Sequence, residues 1–76
     1  MEELISEHID LRGVRCPLNW AKAKIRLEQM DGGQSLEILL DDPKAARDLP
    51  RAAEAEGYVV LDVEQESMEW RIVIEK

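Results

Sequence analysis

Leu11-Arg12-Gly13-Val14-Arg15-Cys16-Pro17-Leu18-Asn19 is the stretch around which the chain is organised. It holds the only cysteine of the protein, with a proline directly after it. A strand-like run precedes it and a helix-like run follows. Proline fits the first turn of a helix, where its missing N–H costs nothing. That places Cys16 as a candidate N-cap, beside backbone N–H groups that lack intrahelical partners. A thiol at such a position meets the positive end of the helix dipole, which favours thiolate over thiol. Cys16 is the candidate reactive sulfur centre, against the plainer reading of a small buried hydrophobe without chemistry.

Outward from this stretch, the N-terminal side reads as a strand from Leu4 to Leu11, with Ile5, Ile9 and Leu11 apolar. His8 and Asp10 share one face of it. Arg12-Gly13 breaks the pattern. From Pro17 to Met30 the composition is helical, and Trp20, Ala23, Leu27 and Met30 form one apolar stripe. Leu18, Ala21 and Ile25 project to the other side as a smaller, partly exposed apolar patch. Asp31-Gly32-Gly33 ends this helix.

Gln34 to Leu40 reads as a well-buried strand. Asp42 and Pro43 are an N-cap and first-position pair for a second helix. Pro50 is expected to split that helix into a turn over Pro43–Arg47 and a restart capped by Asp48, running to about Glu56. Ala46, Leu49, Ala53 and Ala52 are its candidate core residues, and Gly57 its terminator. Tyr58–Val63 and Met68–Glu75 read as two strands of a hairpin joined through Glu64-Gln65-Glu66-Ser67. The order β-α-β-α-β-β predicts an α/β fold: a two-layer α/β sandwich with a four-stranded mixed sheet and two helices on one face. The other face of the sheet is left open as a possible partner surface. With 76 residues, the chain is read as a single domain spanning residues 1–76.

Composition narrows the function. No apolar run approaches the ~20 residues that span a membrane. The acidic start Met1-Glu2-Glu3-Leu4 argues against a signal peptide. One cysteine makes no internal disulfide, so a reducing cytoplasm is the expected compartment. The net charge of −7 disfavours general nucleic-acid or anionic-membrane binding. Against that background, Arg12 to Leu27 holds five basic residues (Arg12, Arg15, Lys22, Lys24 and Arg26) and no acidic one. This is a basic collar around the cysteine, or else simply a solvated helix face. His8 and Cys16 are too few for a metal site, and neither a metal nor a cofactor is expected.

With Asp10-Leu11-Arg12-Gly13 leading into Cys16-Pro17, the chain resembles the TusA/SirA/YedF-like family of small sulfur-carrier proteins. The resemblance covers nearly the whole chain. It takes in Lys24 and Leu27, Asp41-Asp42-Pro43, Asp48-Leu49-Pro50 and Gly57. One departure stands out: the family signature is Cys-Pro-x-Pro, and the fourth position here is Asn19. An asparagine restores a backbone N–H and adds an amide near the helix entry.

The resemblance implies a sulfur carrier, a sulfurtransferase that relays sulfane sulfur as a persulfide on Cys16. The sulfur donor would be a cysteine desulfurase or a rhodanese, and the acceptor a downstream protein. Destinations in the family include tRNA thiolation, molybdenum-cofactor biosynthesis and sulfur oxidation. A transfer of this kind needs an exposed, partly ionised sulfur on a dockable surface. Arg12, Gly13, Arg15, Pro17, Asn19, Lys22 and Lys24 are the candidate substrate- and partner-binding residues. Among them Arg12 and Arg15 would supply positive potential at the sulfur, and Lys22 and Lys24 would steer acidic partner surfaces. A monomer forming transient complexes is the expected state. The alternative is a non-catalytic interaction or regulatory module of the same fold, with an inert Cys16. A small RNA-binding domain is the weaker rival, because stacking aromatics are scarce.

Overall fold

Among the described residues six elements follow in chain order: β1 (Glu7–Asp10), α1 (Leu18–Glu28), β2 (Ser35–Leu40), α2 (Pro43–Ala55), β3 (Val59–Glu66) and β4 (Glu69–Glu75). The computed structural model describes residues 5–76. The expected first strand residue, Leu4, and the acidic start before it lie outside the described residues. The strands form one sheet in the order β1-β2-β4-β3. β1 runs parallel to β2, and both β2–β4 and β3–β4 are antiparallel. This is the expected four-stranded mixed sheet with two helices.

Side-chain alternation fixes the layers. Leu36, Ile38 and Leu40 of β2 pair with Ile74, Ile72 and Trp70 of β4, so one face carries a continuous apolar block. On it pack Ala23 and Leu27 of α1 with Ala45, Leu49 and Ala53 of α2, joined by Leu11 and Met30. The stripe read from Trp20 to Met30 is therefore core, with Trp20 at its half-buried margin. Leu18 and Ile25 point outward, 55% and 56% exposed, as the second patch requires.

Among the described residues no helix packs on the opposite face of the sheet, which carries a lattice of charges. His8 Nδ1 lies 2.8 Å from Glu37 Oε1. The other oxygen of Glu37 accepts from Arg71 Nε, and Arg71 also reaches Asp62 at 3.3 Å and Glu64 at 2.8 Å. Val73, paired across the sheet with Glu37 and Asp62, faces this side and is nonetheless fully buried. The open face is thus polar and closely knit rather than apolar.

Two expected features are corrected. α2 does not break at Pro50: it runs unbroken from Pro43 to Ala55, and Asp48 pairs with Arg47 instead of capping a restart. A proline inside a helix costs about 3 kcal/mol through one lost N–H and a clash. Here the unbroken helix keeps Ala45, Ala46 and Leu49 ahead of Pro50, and Ala53 after it, buried on one face. A break would turn one of these sets off the core. The hairpin is also tighter than expected. β3 continues through Glu66, paired with Glu69, which leaves Ser67 and Met68 as the turn, with Ser67 at φ 57°. An edge strand with one solvated side accommodates Glu64, Gln65 and Glu66 without leaving the ladder, and a left-handed residue suits a two-residue hairpin turn.

Candidate functional site

The loop from Leu11 to Pro17 crosses from the end of β1 to the start of α1, and its backbone is tied down by the first residues after β2. Gly13 donates its N–H to Asp41 Oδ1 at 2.9 Å. Gly13 sits at φ 84°, a conformation a side chain would strain. Cys16 donates its N–H to Asp42 Oδ2 at 3.2 Å, while Asp42 Oδ1 accepts from Lys44 N–H at 3.0 Å as the N-cap of α2. One carboxylate therefore caps the second helix and anchors the cysteine. The sequence identifies Asp42 as a cap; its second bond joins segments 26 residues apart and has no local signature.

Cys16 itself is not the N-cap of α1. That place belongs to Pro17, whose carbonyl accepts the N–H of Ala21 at 3.1 Å, the first bond of the helix. The Cys16–Pro17 peptide bond is cis, and Cys16 stands one residue outside the helix with its thiol free and half-buried. Because Pro17 has no side-chain acceptor, the exposed N–H groups of the first turn are served from elsewhere. Asn19, fully buried, accepts the N–H of Trp20 on Oδ1 at 2.7 Å and donates Nδ2 to the Val14 carbonyl at 3.3 Å. Its own N–H reaches the Arg15 carbonyl at 3.1 Å. The restored N–H and the added amide are both used, and they join the cysteine loop to the helix entry.

Beside the sulfur lies an almost wholly apolar cleft of about 180 Å³, bounded by Cys16, Pro17, Asn19 and Trp20 on one side and Ala45, Asp48, Leu49 and Ala52 on the other. Trp20 is held edge-on to Tyr58 at 6.4 Å between ring centroids.

The basic collar divides. Arg12 binds Asp10 at 2.8 Å and Glu69 at 3.3 Å, on the charged side of the sheet. Its hydrogen bonds hold the Asp10 carboxyl down at about 2. Lys24 pairs with Glu56 at 3.2 Å, and Arg26 with Glu7 at 3.2 Å. Arg15 and Lys22 form no ion pair among the described residues, and both are exposed close to Leu18 in sequence. A further cation comes from α2, which the sequence reading left out. Arg47 grips Asp48, a residue that bounds the cleft, with two bonds, Nε to Oδ1 at 2.9 Å and Nη2 to Oδ2 at 3.2 Å. Those bonds hold the Asp48 carboxyl below its usual range, with Arg51 and Lys44 adding to the effect. They also raise the Arg47 guanidinium, to which an ionised Cys16 sulfur contributes.

Comparisons with known proteins bear on the chain as a whole. The family model described as "Sulfurtransferase TusA" matches residues 7–76. A protein of Archaeoglobus fulgidus named "Putative sulfur carrier protein" is 42% identical over 72 residues, covering 93% of this chain and 82% of the other. The similarly named YedF of Escherichia coli K12 is 29% identical with both chains covered completely. The crystal structure of a SirA-like protein from Desulfitobacterium hafniense superposes with a TM-score of 0.80 at 25% identity, covering 92% of this chain and 96% of that one. A match over all but the first residues, together with a relative at this level of identity, shows that the chain belongs to the TusA family of TusA-, SirA- and YedF-like proteins.

Proposed function

We propose that this protein is a sulfur carrier that relays sulfane sulfur between protein partners as a persulfide on Cys16. The observation that carries the reading is the position of the only cysteine. It is half-buried and free, just outside a helix start and at the edge of an apolar cleft, in a chain of the TusA family. Relatives that bear the sulfur-carrier name support the same role.

In the first step the Cys16 thiolate attacks the terminal sulfur of a donor persulfide. A new S–S bond forms at Cys16, the donor's S–S bond breaks, and the donor leaves as a thiolate. In the second step an acceptor nucleophile attacks the terminal sulfur of Cys16–S–S⁻, and Cys16 departs as thiolate. Sulfur moves at the same oxidation level, so no external oxidant or reductant enters. A lone cysteine suits this relay, because no neighbouring thiol can resolve the persulfide to an internal disulfide. The residues around the sulfur have defined tasks. Asp42 and Gly13 fix the loop, Asn19 and Pro17 shape the helix entry, Arg15 in the loop and Lys22 on α1 are the exposed cations offered to docking proteins, and Lys24 meets them from its pair with Glu56. Those partners are a desulfurase or rhodanese as donor and a downstream protein as acceptor, met in transient complexes by a monomer in the cytoplasm.

The test is incubation with a cysteine desulfurase and cysteine, or with a rhodanese and thiosulfate, followed by intact-mass spectrometry. The wild type gains the mass of one sulfur atom and Cys16→Ser gains none. A Cys16→Ser variant that binds every partner and supports the pathway in cells would instead favour an interaction module.

A further inference from the structure

Asp48 of α2 bounds the same cleft, and its helix neighbour Arg47 binds it from outside that lining; neither has a part in the relay. Asp48 is the one carboxylate among the residues that bound it. The remaining polar group there, Asn19, has its amide oxygen and nitrogen already committed to Trp20 and Val14. A sulfane sulfur bonded to Cys16 extends the side chain by one S–S bond of about 2 Å and carries negative charge. In an apolar cleft that charge has few partners, and a bare Asp48 would repel it. The structure answers this with the two-bond grip of Arg47 on Asp48.

We infer that Arg47 and Asp48 form a charge-setting pair at the mouth of the Cys16 cleft, with Arg47 as the positioning cation that makes the cleft receptive to an anionic sulfane sulfur. The inference rests on the persulfide reading of Cys16 and adds a residue to it. Arg47 neutralises Asp48 through two direct bonds, where Arg51 and Lys44 act on it only at longer range. Asp48 in turn fixes the guanidinium at this end of α2 rather than letting it sample solvent. Consistent with this placement, an ionised Cys16 is among the anions that the Arg47 guanidinium feels. Arg47 remains largely exposed, so the effect is screened by salt.

The potential at the sulfur is read by comparing two alkylating reagents of similar size, anionic iodoacetate and neutral iodoacetamide, by intact mass over time. Arg47→Gln is expected to lower the iodoacetate-to-iodoacetamide rate ratio by about threefold at low salt, the scale of one screened charge near a surface. Asp48→Asn raises the ratio, Arg47→Gln/Asp48→Asn returns it toward wild type, and Arg47→Lys keeps most of it. The Arg47→Gln effect shrinks at high salt. Loading from glutathione persulfide, an anionic donor, slows in Arg47→Gln by a similar factor. A structural role would change both alkylation rates alike. An unchanged ratio in Arg47→Gln, or a shift that persists at high salt, overturns the inference. The alkylation arm needs no sulfur donor. A wild type that never loads sulfur therefore counts against the persulfide relay, and an unmoved ratio counts against Arg47 alone.

Discussion

The backbone N–H of Cys16 rests on Asp42 Oδ2 at 3.2 Å while the other oxygen of that carboxylate caps α2 through Lys44 N–H at 3.0 Å. The reactive loop and the second helix therefore share one anchor. Asp42→Ala removes both bonds and is expected to cost about 1–2 kcal/mol, the range of a lost N-cap. Sulfur loading of Cys16 slows as the loop loosens. Asp42→Asn has a single acceptor oxygen in place of two, and its stability falls between wild type and alanine. Chemical denaturation of the three proteins checks the order.

Asn19 carries the departure from the family's Cys-Pro-x-Pro pattern, and it is fully buried with both ends of its amide bonded. Asn19→Leu leaves the Trp20 N–H and the Val14 carbonyl without these partners, for a cost of about 1–3 kcal/mol per stranded group. A urea midpoint equal to wild type would show that the amide is dispensable.

Pro50 lies inside an unbroken α2. Pro50→Ala supplies the N–H that the helix lacks and removes the ring clash, worth about 3 kcal/mol in a helix interior. The freer unfolded chain takes back about 1 kcal/mol. Net stabilisation is expected, visible as a raised thermal midpoint. A split helix restarting at Asp48 would give no gain.

Acid weakens the sheet's charged side. Asp10 titrates near 2 in the folded protein against 3.8 for the free group, chiefly through the side-chain hydrogen bond from Arg12. Glu37 is also lowered, first by its bond to His8 and then by Arg71. Depressed carboxyls give the unfolded state more bound protons, so stability rises with pH across the interval. The Asp10 contribution is fully present above 3.8 and is lost as pH falls through about 2. Denaturation midpoints should decline over that interval, and Arg12→Gln should flatten the Asp10 part of the decline.

What the sequence made legible and what it did not have separate physical causes. Local periodicity carried the elements: the Trp20–Met30 stripe, the Asp42-Pro43 helix start and the alternation along β4 each depend on neighbours a few residues apart. The same local rule misled at Pro50, where burial of Leu49 and Ala53 outweighs the cost of the ring. At the site, Cys16 and its motif were visible. The ties from Asp41 and Asp42 were not, because they join residues 28 and 26 positions apart in sequence. The Arg47–Asp48 pair is local, but the place of Asp48 in the cleft beside Cys16 depends on α2 being brought against the loop. The basic collar shows the converse: five cations close in sequence are dispersed, with Arg12 drawn to Glu69, Lys24 to Glu56 and Arg26 to Glu7.

The central claim is that Cys16 carries sulfane sulfur. Intact-mass spectrometry after exposure to a cysteine desulfurase with cysteine tests it most directly, with digestion to locate the adduct. The account predicts one added sulfur on the Cys16 peptide, removed by a thiol reductant and absent from Cys16→Ser. A wild-type mass unchanged with every desulfurase and rhodanese donor would contradict it.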